Sequence, residues 1–328
     1  MKGTECSMCE IFEQIGKIGI VPVIKIDDAE KALPLAEALI KGGLPVAEVT
    51  FRTDEAEEAI SRIAEKYPEM LVGAGTVLTT AQVDSAVKAG AKFIVAPGFN
   101  PAIVKYCQEK GVPMIPGCSS PTDIEAALEL GLDTVKFFPA EAVGGLAMIK
   151  AMSAPYGNVK FMPTGGISPK NLNEYLSFSK IVACGGSWMV TDALLKEERY
   201  DEITALAQQA VMTMLGFKLV HIGINAGTGD AAMAQAKQFA ALFGMAINDG
   251  EKSIFMDDVI EIMKFDGRGT NGHIAIQTND IHRAMYYLSG KGISFIEDSK
   301  TYDANGKLNL VYLEGEIGGF AIHLKQKA

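Results

Sequence analysis

The sequence predicts an α/β chain: a (β/α)8 barrel followed by an α+β domain of two βαβββ modules. Three observations carry this expectation. Between residues 20 and 187, eight short apolar or β-branched runs alternate with Ala/Leu/Glu/Lys-rich helical stretches. The first run lacks the Gly-rich loop that an open, dinucleotide-binding sheet would carry. After about residue 215 the rhythm changes and one order of elements occurs twice. The domains therefore read as 1–215 and 216–328.

Strands are expected at 20–26, 46–51, 71–76, 93–97, 114–118, 134–138, 160–164 and 181–185. Helices are expected at 29–41, 54–66, 79–89, 100–110, 121–130 and 168–177. A barrel of this kind gathers its chemistry at the C-terminal ends of its strands. Those ends carry Lys25, Glu48 with Arg52, Thr76, Pro97, Cys118, Lys136, Thr164-Gly165-Gly166 and Gly185-Gly186-Ser187. In the second domain, His221-Ile222-Gly223-Ile224-Asn225 opens a strand, followed by a helix at 230–243 and strands near 245–248, 252–257 and 259–265. His273-Ile274-Ala275-Ile276-Gln277 opens the second copy 52 residues later, with a helix at 280–290 and strands near 293–297, 308–314 and 318–325.

Composition narrows the function classes. At 48% hydrophobic and 21% charged, the chain reads as soluble and globular, with length for two domains. A net charge of −10 and no basic run argue against nucleic acid or an anionic membrane as partner. No segment reaches the roughly 18 consecutive apolar residues of a membrane helix. The N-terminus, Met1-Lys2-Gly3-Thr4-Glu5-Cys6, lacks the apolar core and cleavage site of a signal peptide. Five scattered cysteines, at 6, 9, 107, 118 and 184, fit a reducing cytoplasm. Cys6 and Cys9 form a C-x-x-C pair in what reads as an unstructured leader. With no second pair they are a weak metal or redox candidate.

Lys136 stands out within Thr134-Val135-Lys136-Phe137-Phe138-Pro139-Ala140. Burying an ammonium costs several kcal/mol unless it is paired or neutral. A neutral lysine amine attacks carbonyl carbon and forms a Schiff base. The bland alternative is an edge lysine reaching out to solvent. Glu48, within a strand end facing the barrel mouth, could shuttle protons or merely neutralise Lys136 or Arg52. Arg52 and Thr76 could hold a substrate carboxylate, or Arg52 could pair with Glu55 or Glu58 on the surface. Gly165-Gly166 and Gly185-Gly186-Ser187 fall after strands seven and eight, where barrels bind phosphate with backbone N–H groups. Otherwise they are tight turns that need positive φ.

Six separated segments then form a pattern. They are Glu48-Val49-Thr50-Phe51-Arg52-Thr53, Gly73-Ala74-Gly75-Thr76-Val77, Ala96-Pro97-Gly98, Val135-Lys136-Phe137-Phe138-Pro139-Ala140-Glu141, Pro163-Thr164-Gly165-Gly166-Ile167 and Gly185-Gly186-Ser187-Trp188. Over roughly residues 10–210 the chain resembles the bacterial 2-keto-3-deoxy-6-phosphogluconate (KDPG) aldolases, which also cleave 4-hydroxy-2-oxoglutarate (KHG). The resemblance implies a TIM-barrel class I aldolase of the Entner–Doudoroff pathway that needs no cofactor and assembles as a homotrimer. Lys136 would be the Schiff-base lysine and Glu48 the proton shuttle. Arg52 and Thr76 would grip the pyruvate carboxylate, and Pro97 and Phe137 would line the pocket. Thr164, Gly165, Gly166, Gly186 and Ser187 would take the distal hydroxyl and phosphate. Some members carry Arg where this chain has Lys25, which leaves the preference between KDPG and KHG open.

The second domain resembles the vicinal oxygen chelate superfamily, which includes glyoxalase I. The family's metal ligands lie on the first and fourth strands of each module. Here those positions hold His221, Glu261, His273 and His323, where many members have Glu in place of His323. Imidazoles and a carboxylate suit Zn²⁺, Ni²⁺ or Fe²⁺. The alternative is a non-catalytic ligand-binding module. His282, at a helix start, fits no ligand position and reads as surface. For the whole chain, the rivals to a lyase are a phosphate-binding barrel isomerase of the phosphoribosyl type and a sugar-acid sensor. The isomerase needs no buried lysine on strand six.

Overall fold

The computed structural model describes the backbone of residues 2–328 and the side chains of residues 10–328. Two compact units result, Met1–Met214 and Leu215–Ala328. The chain starts with helix α1 (Lys2–Ile18), where the sequence predicted an unstructured leader. An amphipathic pattern explains the difference: Ile15 and Ile18 are buried while Glu13 and Lys17 are exposed. The side chains of Cys6 and Cys9 lie outside the described residues.

Eight parallel strands follow: β1 (Ile20–Ile24), β2 (Val46–Thr50), β3 (Leu71–Gly75), β4 (Ile94–Val95), β5 (Met114–Ile115), β6 (Thr134–Phe137), β7 (Lys160–Pro163) and β8 (Cys184–Gly186). Between and after them run α2 (Ala32–Lys41), α3 (Ala56–Lys66), α4 (Thr80–Lys88), α5 (Pro101–Lys110), α6 (Pro121–Glu129), α7 (Gly145–Ser153), α8 (Leu172–Leu176), α9 (Asp192–Lys196) and α10 (Tyr200–Leu215). Local chemistry sets several starts. Thr79 with Gln82, and Ser120 with Asp123, form reciprocal caps on α4 and α6. Asn100 caps α5 ahead of Pro101.

The barrel is hydrogen-bonded as a six-stranded sheet, β5-β4-β3-β2-β1-β8, and a two-stranded sheet, β6-β7. Isolated bridges Gly117↔Lys136 and Thr164↔Gly185 join the two sheets and complete the ring. Strands β4 and β5 are shorter than the sequence suggested, because Pro97 and Pro116 bring no N–H to extend their ladders. Alternating side chains fill the interior, and every residue of β2 and β3 is buried.

The second unit is one eight-stranded sheet with two helices. Its first module holds β9 (Lys218–Asn225), α11 (Gly229–Phe243), β10 (Ile247–Asp249), β11 (Ser253–Met256) and β12 (Ile260–Met263). The second holds β13 (Gly272–Thr278), α12 (Ile281–Ser289), β14 (Thr301–Tyr302), β15 (Leu308–Ile317) and β16 (Phe320–Gln326). The order β10-β11-β12-β9-β13-β16-β15-β14 reads the same from either end, with antiparallel β9 and β13 at the centre. Ala232 and Ala236 of α11 pack on Ile254, Met256 and Ile262 to form a buried cluster. The strand expected at 293–297 is absent. Phe295 makes a single bridge to Leu313, and Glu297–Ser299 turns as a 3-10 helix. Two acids and a serine in that turn favour local backbone bonds over a ladder.

Candidate functional site

In the barrel, Lys136 on β6 points inward, 5% exposed, and Glu48 on β2 is fully buried. Lys136 Nζ donates to Glu48 Oε1 at 3.1 Å. Glu48 Oε2 has no partner, so one carboxylate oxygen stays available inside the barrel. The acid fits because the adjacent strand is bare. A β-carbon on Gly75 would lie 2.4 Å from Glu48 Oε1. Gly73 is similarly small for the Phe93 ring, at 2.4 Å.

This pair lies in a cavity of about 320 Å³. Arg52, Thr76 and Pro97 line it, as do Thr164, Gly165, Gly166, Gly186 and Ser187. The guanidinium of Arg52 is oriented by its Nε, which donates to Thr50 Oγ1 at 3.0 Å, while Thr50 Oγ1 donates to the Ile24 carbonyl at 2.9 Å. The surface pairing considered for Arg52 is taken by other groups: Glu58 binds Arg62 at 2.7 Å and Glu55 accepts from the Ala29 N–H. Thr76 has a left-handed backbone, φ 56°, unusual for a β-branched residue. Thr164 Oγ1 is buried without a partner.

The two glycine pairs are small for different reasons. Gly165 and Gly166 have φ of 99° and 80°, so the turn explanation holds there. Gly185 and Gly186 lie in β8 and leave space instead. A β-carbon on Gly185 would meet Thr164 Oγ1 at 2.2 Å, and one on Gly186 would meet the Trp188 indole at 1.8 Å. Gly165, Gly166 and Gly186 still bring bare backbone to the cavity.

Two expectations need correction. Phe137 is fully buried and is not among the lining residues; Phe138 lines the cavity instead. Successive strand residues face opposite ways, so Lys136 and Phe138 share a side while Phe137 packs behind. Lys136 Nζ lies 5.4 Å from the centre of the Phe138 ring. Period-two alternation was the signal that could have found Phe138. Lys25 also lies outside the lining: its Nζ is 2.9 Å from Asp27 and 3.8 Å from Asp192. The hydrogen bond to Asp27 raises its ammonium above the ordinary lysine range. Val23, Thr50 and Ile167 line the cavity too, with no sequence signal beyond their strand-end positions.

Cys118 is buried, with Sγ directed at the Asp123 carbonyl, and burial pushes its thiol up to about 12. Burial thus disfavours its thiolate form.

In the second unit, the four expected ligand positions converge. His221 Nε2 is 3.1 Å from His273 Nε2, and Glu261 Oε2 is 3.3 Å and 3.1 Å from those two atoms. His221, His273 and His323 bring ring nitrogens within 4.8 Å of one another. The sheet register explains the meeting. His273 faces Gly223 across β9 and β13, His221 faces Ala275, and Glu261 and His323 sit at equivalent places on β12 and β16. A β-carbon on Gly223 would fall 2.1 Å from the His273 ring. His282, by contrast, is exposed in the first turn of α12.

This donor set fits a metal ion. Metal–ligand bonds of about 2.0–2.1 Å in a tetrahedron separate the ligand atoms by roughly 3.3 Å, close to the 3.1–3.3 Å found among His221, His273 and Glu261, with a His323 nitrogen within 4.8 Å of the other two imidazoles. Ser253 Oγ donates to Glu261 Oε1 at 2.6 Å, which leaves Oε2 to face the histidines. Burial alone would push the Glu261 carboxyl up, but hydrogen bonds from His221, His273 and Ser253 outweigh it and hold the group well below the usual carboxylate range. His323 is lowered to about 3, first by burial and then by His273 and His221, so its imidazole stays neutral. Its Nδ1 is buried without a partner. Phe255 packs edge-on to His221 at 5.6 Å, and Tyr312 lies 4.9 Å from His323.

Comparison with known proteins bears on the barrel. A protein-family profile described as "KDPG and KHG aldolase" matches residues 11–206, ending before the second unit begins. The 2-dehydro-3-deoxy-phosphogluconate aldolase of Treponema pallidum is 50% identical over 204 residues, 62% of this chain and 97% of that protein. The KHG/KDPG aldolase of Escherichia coli K12 is 44% identical over 192 residues, 58% of this chain and 90% of that protein. A crystal structure of KDPG aldolase from Legionella pneumophila, with pyruvate captured as a covalent carbinolamine intermediate, aligns with TM-score 0.59 and 40% identity. It covers 61% of this chain and 97% of the other. Among the described residues no helix is long and apolar enough to cross a membrane. Through its barrel unit the chain belongs to the KDPG and KHG aldolase family, a family of carbon–carbon lyases.

Proposed function

We propose that the barrel cleaves KDPG to pyruvate and glyceraldehyde 3-phosphate, and KHG to pyruvate and glyoxylate, through a Schiff base on Lys136. The observation that carries this is the buried contact of 3.1 Å between Lys136 Nζ and Glu48 Oε1 at the cavity. The covalent pyruvate adduct described for the Legionella relative supports the same chemistry here. The Lys136 amine attacks the C2 keto carbon. Glu48 then protonates the resulting hydroxyl, which leaves as water, giving a protonated imine. Glu48 takes the C4 hydroxyl proton, the C3–C4 bond breaks, and its electron pair passes into the imine. The aldehyde departs and leaves an enamine of pyruvate. Protonation at C3 and addition of water release pyruvate and restore the amine. Arg52 and Thr76 hold the carboxylate in this scheme, Pro97 and Phe138 pack on the pyruvate half, and Gly165, Gly166, Gly186 and Ser187 receive the phosphate. Lys25 acts at most through Asp27 and Asp192.

Pyruvate with borohydride tests the assignment. One reduced adduct on the peptide containing residue 136 is the expected result. An adduct on Lys25 or Lys160 would overturn the assignment to Lys136, and no adduct with KDPG left uncleaved would favour the isomerase or sensor reading. Phosphate should compete with KDPG more than with KHG; equal inhibition would remove the phosphate cradle.

For the second unit we infer a vicinal-oxygen-chelate-like module that binds one divalent transition metal, Zn²⁺, Ni²⁺ or Fe²⁺. His221, Glu261, His273 and His323 would hold the ion, which would supply Lewis acidity. The three-histidine cluster drawn from two related modules, with Glu261 against His221 and His273, supports the reading. Elemental analysis with calorimetry is the test. A protein without metal whose melting ignores Zn²⁺, Ni²⁺ and chelator would make the unit a binding or assembly module.

A further inference from the structure

The segment after β6 carries an acid that the cleavage scheme does not use. Glu141 opens a 3-10 turn, Glu141–Val143, immediately beyond the loop bearing Phe138. Its backbone is tied to the loop after β7: Ala140 N–H donates to the Thr164 carbonyl at 2.8 Å, and Glu141 N–H donates to the Gly165 carbonyl at 3.1 Å. These bonds continue the β6–β7 ladder past both strand ends.

The side chain of Glu141 makes a second tie. Its Oε1 accepts a hydrogen bond from the hydroxyl of Tyr175, a fully buried residue on α8. Burial, and then Glu141 itself, raises the Tyr175 phenol well above its ordinary value, so it remains a donor across the working pH range. Two glycines make room for this acid. A β-carbon on Gly166 would lie 2.5 Å from Glu141 Cγ, and one on Gly145 would lie 3.0 Å from Glu141 Oε1 and 3.1 Å from the Tyr175 hydroxyl. The backbone of Gly166 therefore rests on the stem of Glu141. On its outer side the same loop is held by Asn171, whose amide donates to the Gly166 carbonyl at 3.1 Å.

The neutral phenol leaves the exposed Glu141 carboxylate charged; its hydrogen bond holds that side chain in one conformation against the backbone of Gly166. We infer that Glu141 and Tyr175 are positioning residues that fix the Gly165–Gly166 backbone for the phosphate end of the substrate and so set selectivity between phosphorylated and unphosphorylated 2-keto acids. The inference rests on the phosphate cradle proposed above. It touches the aldehyde half of the substrate and leaves the pyruvate half alone.

The test uses the full chain and compares Tyr175→Phe, Glu141→Gln and Glu141→Leu. Tyr175→Phe removes the hydrogen bond that holds the Glu141 side chain against the loop. It should raise KM for KDPG about tenfold, the order expected for losing a hydrogen bond to a charged group, with kcat little changed. KM for KHG and the rate of borohydride-trapped pyruvate adduct should move less than about twofold. Glu141→Gln keeps an acceptor oxygen and should restore near-parental selectivity, whereas Glu141→Leu should not. Equal losses on KDPG, KHG and pyruvate trapping would mean general disruption and overturn the inference, as would an unchanged KDPG-to-KHG ratio in both Tyr175→Phe and Glu141→Leu. Inorganic phosphate competition on the parent protein separates the two levels. If phosphate inhibits KDPG and KHG cleavage equally in the parent, the cradle itself fails. If it competes selectively and the variants keep the parental ratio, only the role of Glu141 and Tyr175 fails.

Discussion

Gly75 and Glu48 exclude each other's alternatives: the acid occupies the space where any side chain on residue 75 would have to begin, 2.4 Å from Oε1. Gly75→Ala should therefore fold as a barrel but displace the carboxylate. A shift of about 1 Å in a reacting group costs on the order of 100-fold in rate, so kcat on KDPG should fall by about that factor. Steady-state kinetics beside a thermal melt would check this, and full activity with an intact fold would show that Glu48 is not the proton shuttle.

Lys136→Ala removes the nucleophile, and turnover should drop by several orders of magnitude with no borohydride adduct. Glu48→Gln should behave differently. Loss of a general acid–base costs about 10²–10⁴-fold, while the amine at residue 136 remains able to react. Mass spectrometry of trapped adduct against turnover tells the two roles apart, and equal loss of adduct in both variants would count against the division.

Thr76→Gly relieves a left-handed β-branched backbone but frees the unfolded chain, so the net stability change should stay within about 1 kcal/mol. Its KM for KDPG should rise about tenfold, because one donor to the carboxylate is lost, and Thr76→Ser should recover most of that. A glycine variant with unchanged KM would mean that the hydroxyl does not contact substrate.

Gly223→Ala should evict the His273 ring from its place over β9. Metal affinity should weaken by at least about 100-fold, beyond the usual effect of losing an outer-sphere contact. The melting transition of this unit should then lose its dependence on added Zn²⁺ or Ni²⁺. Lyase activity should be unaffected, and EDTA should leave it intact in the parent protein. Metal content and calorimetry read the first effect and a pyruvate-release assay the second; EDTA-sensitive cleavage restored by Mg²⁺ would instead point to metal-dependent aldol chemistry.

Much of the barrel was legible because a parallel strand buried on both faces reads as one apolar run, and a charged residue inside such a run is conspicuous. Lys136 and Glu48 stood out for that reason. Phe138 was missed in favour of Phe137 because two adjacent aromatics look alike until the facing of Lys136 is fixed. Lys25 looked like a site residue by position alone. What decides its direction is the placement of Asp27 and of Asp192, the latter distant in sequence, which no local pattern reveals. In the second unit, the echo of H-I-G-I-N in H-I-A-I-Q located both histidines of the central strands. The missing strand near 293–297 was hidden because its apolar pattern, Ile293-Ser294-Phe295-Ile296, alternates as a strand would while its partner offers a single bridge. Helix α1 was misread because its first turns are polar, and only the later isoleucines mark its buried side.

The two halves of the C-terminal sheet share one strand order but differ at an equivalent ligand position: position 261 carries an acid where position 323 carries an imidazole. Two acids there would cancel a divalent ion's charge outright. One acid would leave a bound divalent ion with uncancelled positive charge beside the Phe255 and Tyr312 rings. On the metal-binding reading proposed above, the exchange of acid for imidazole at this one ligand position would leave such an ion with net positive charge to offer an anion.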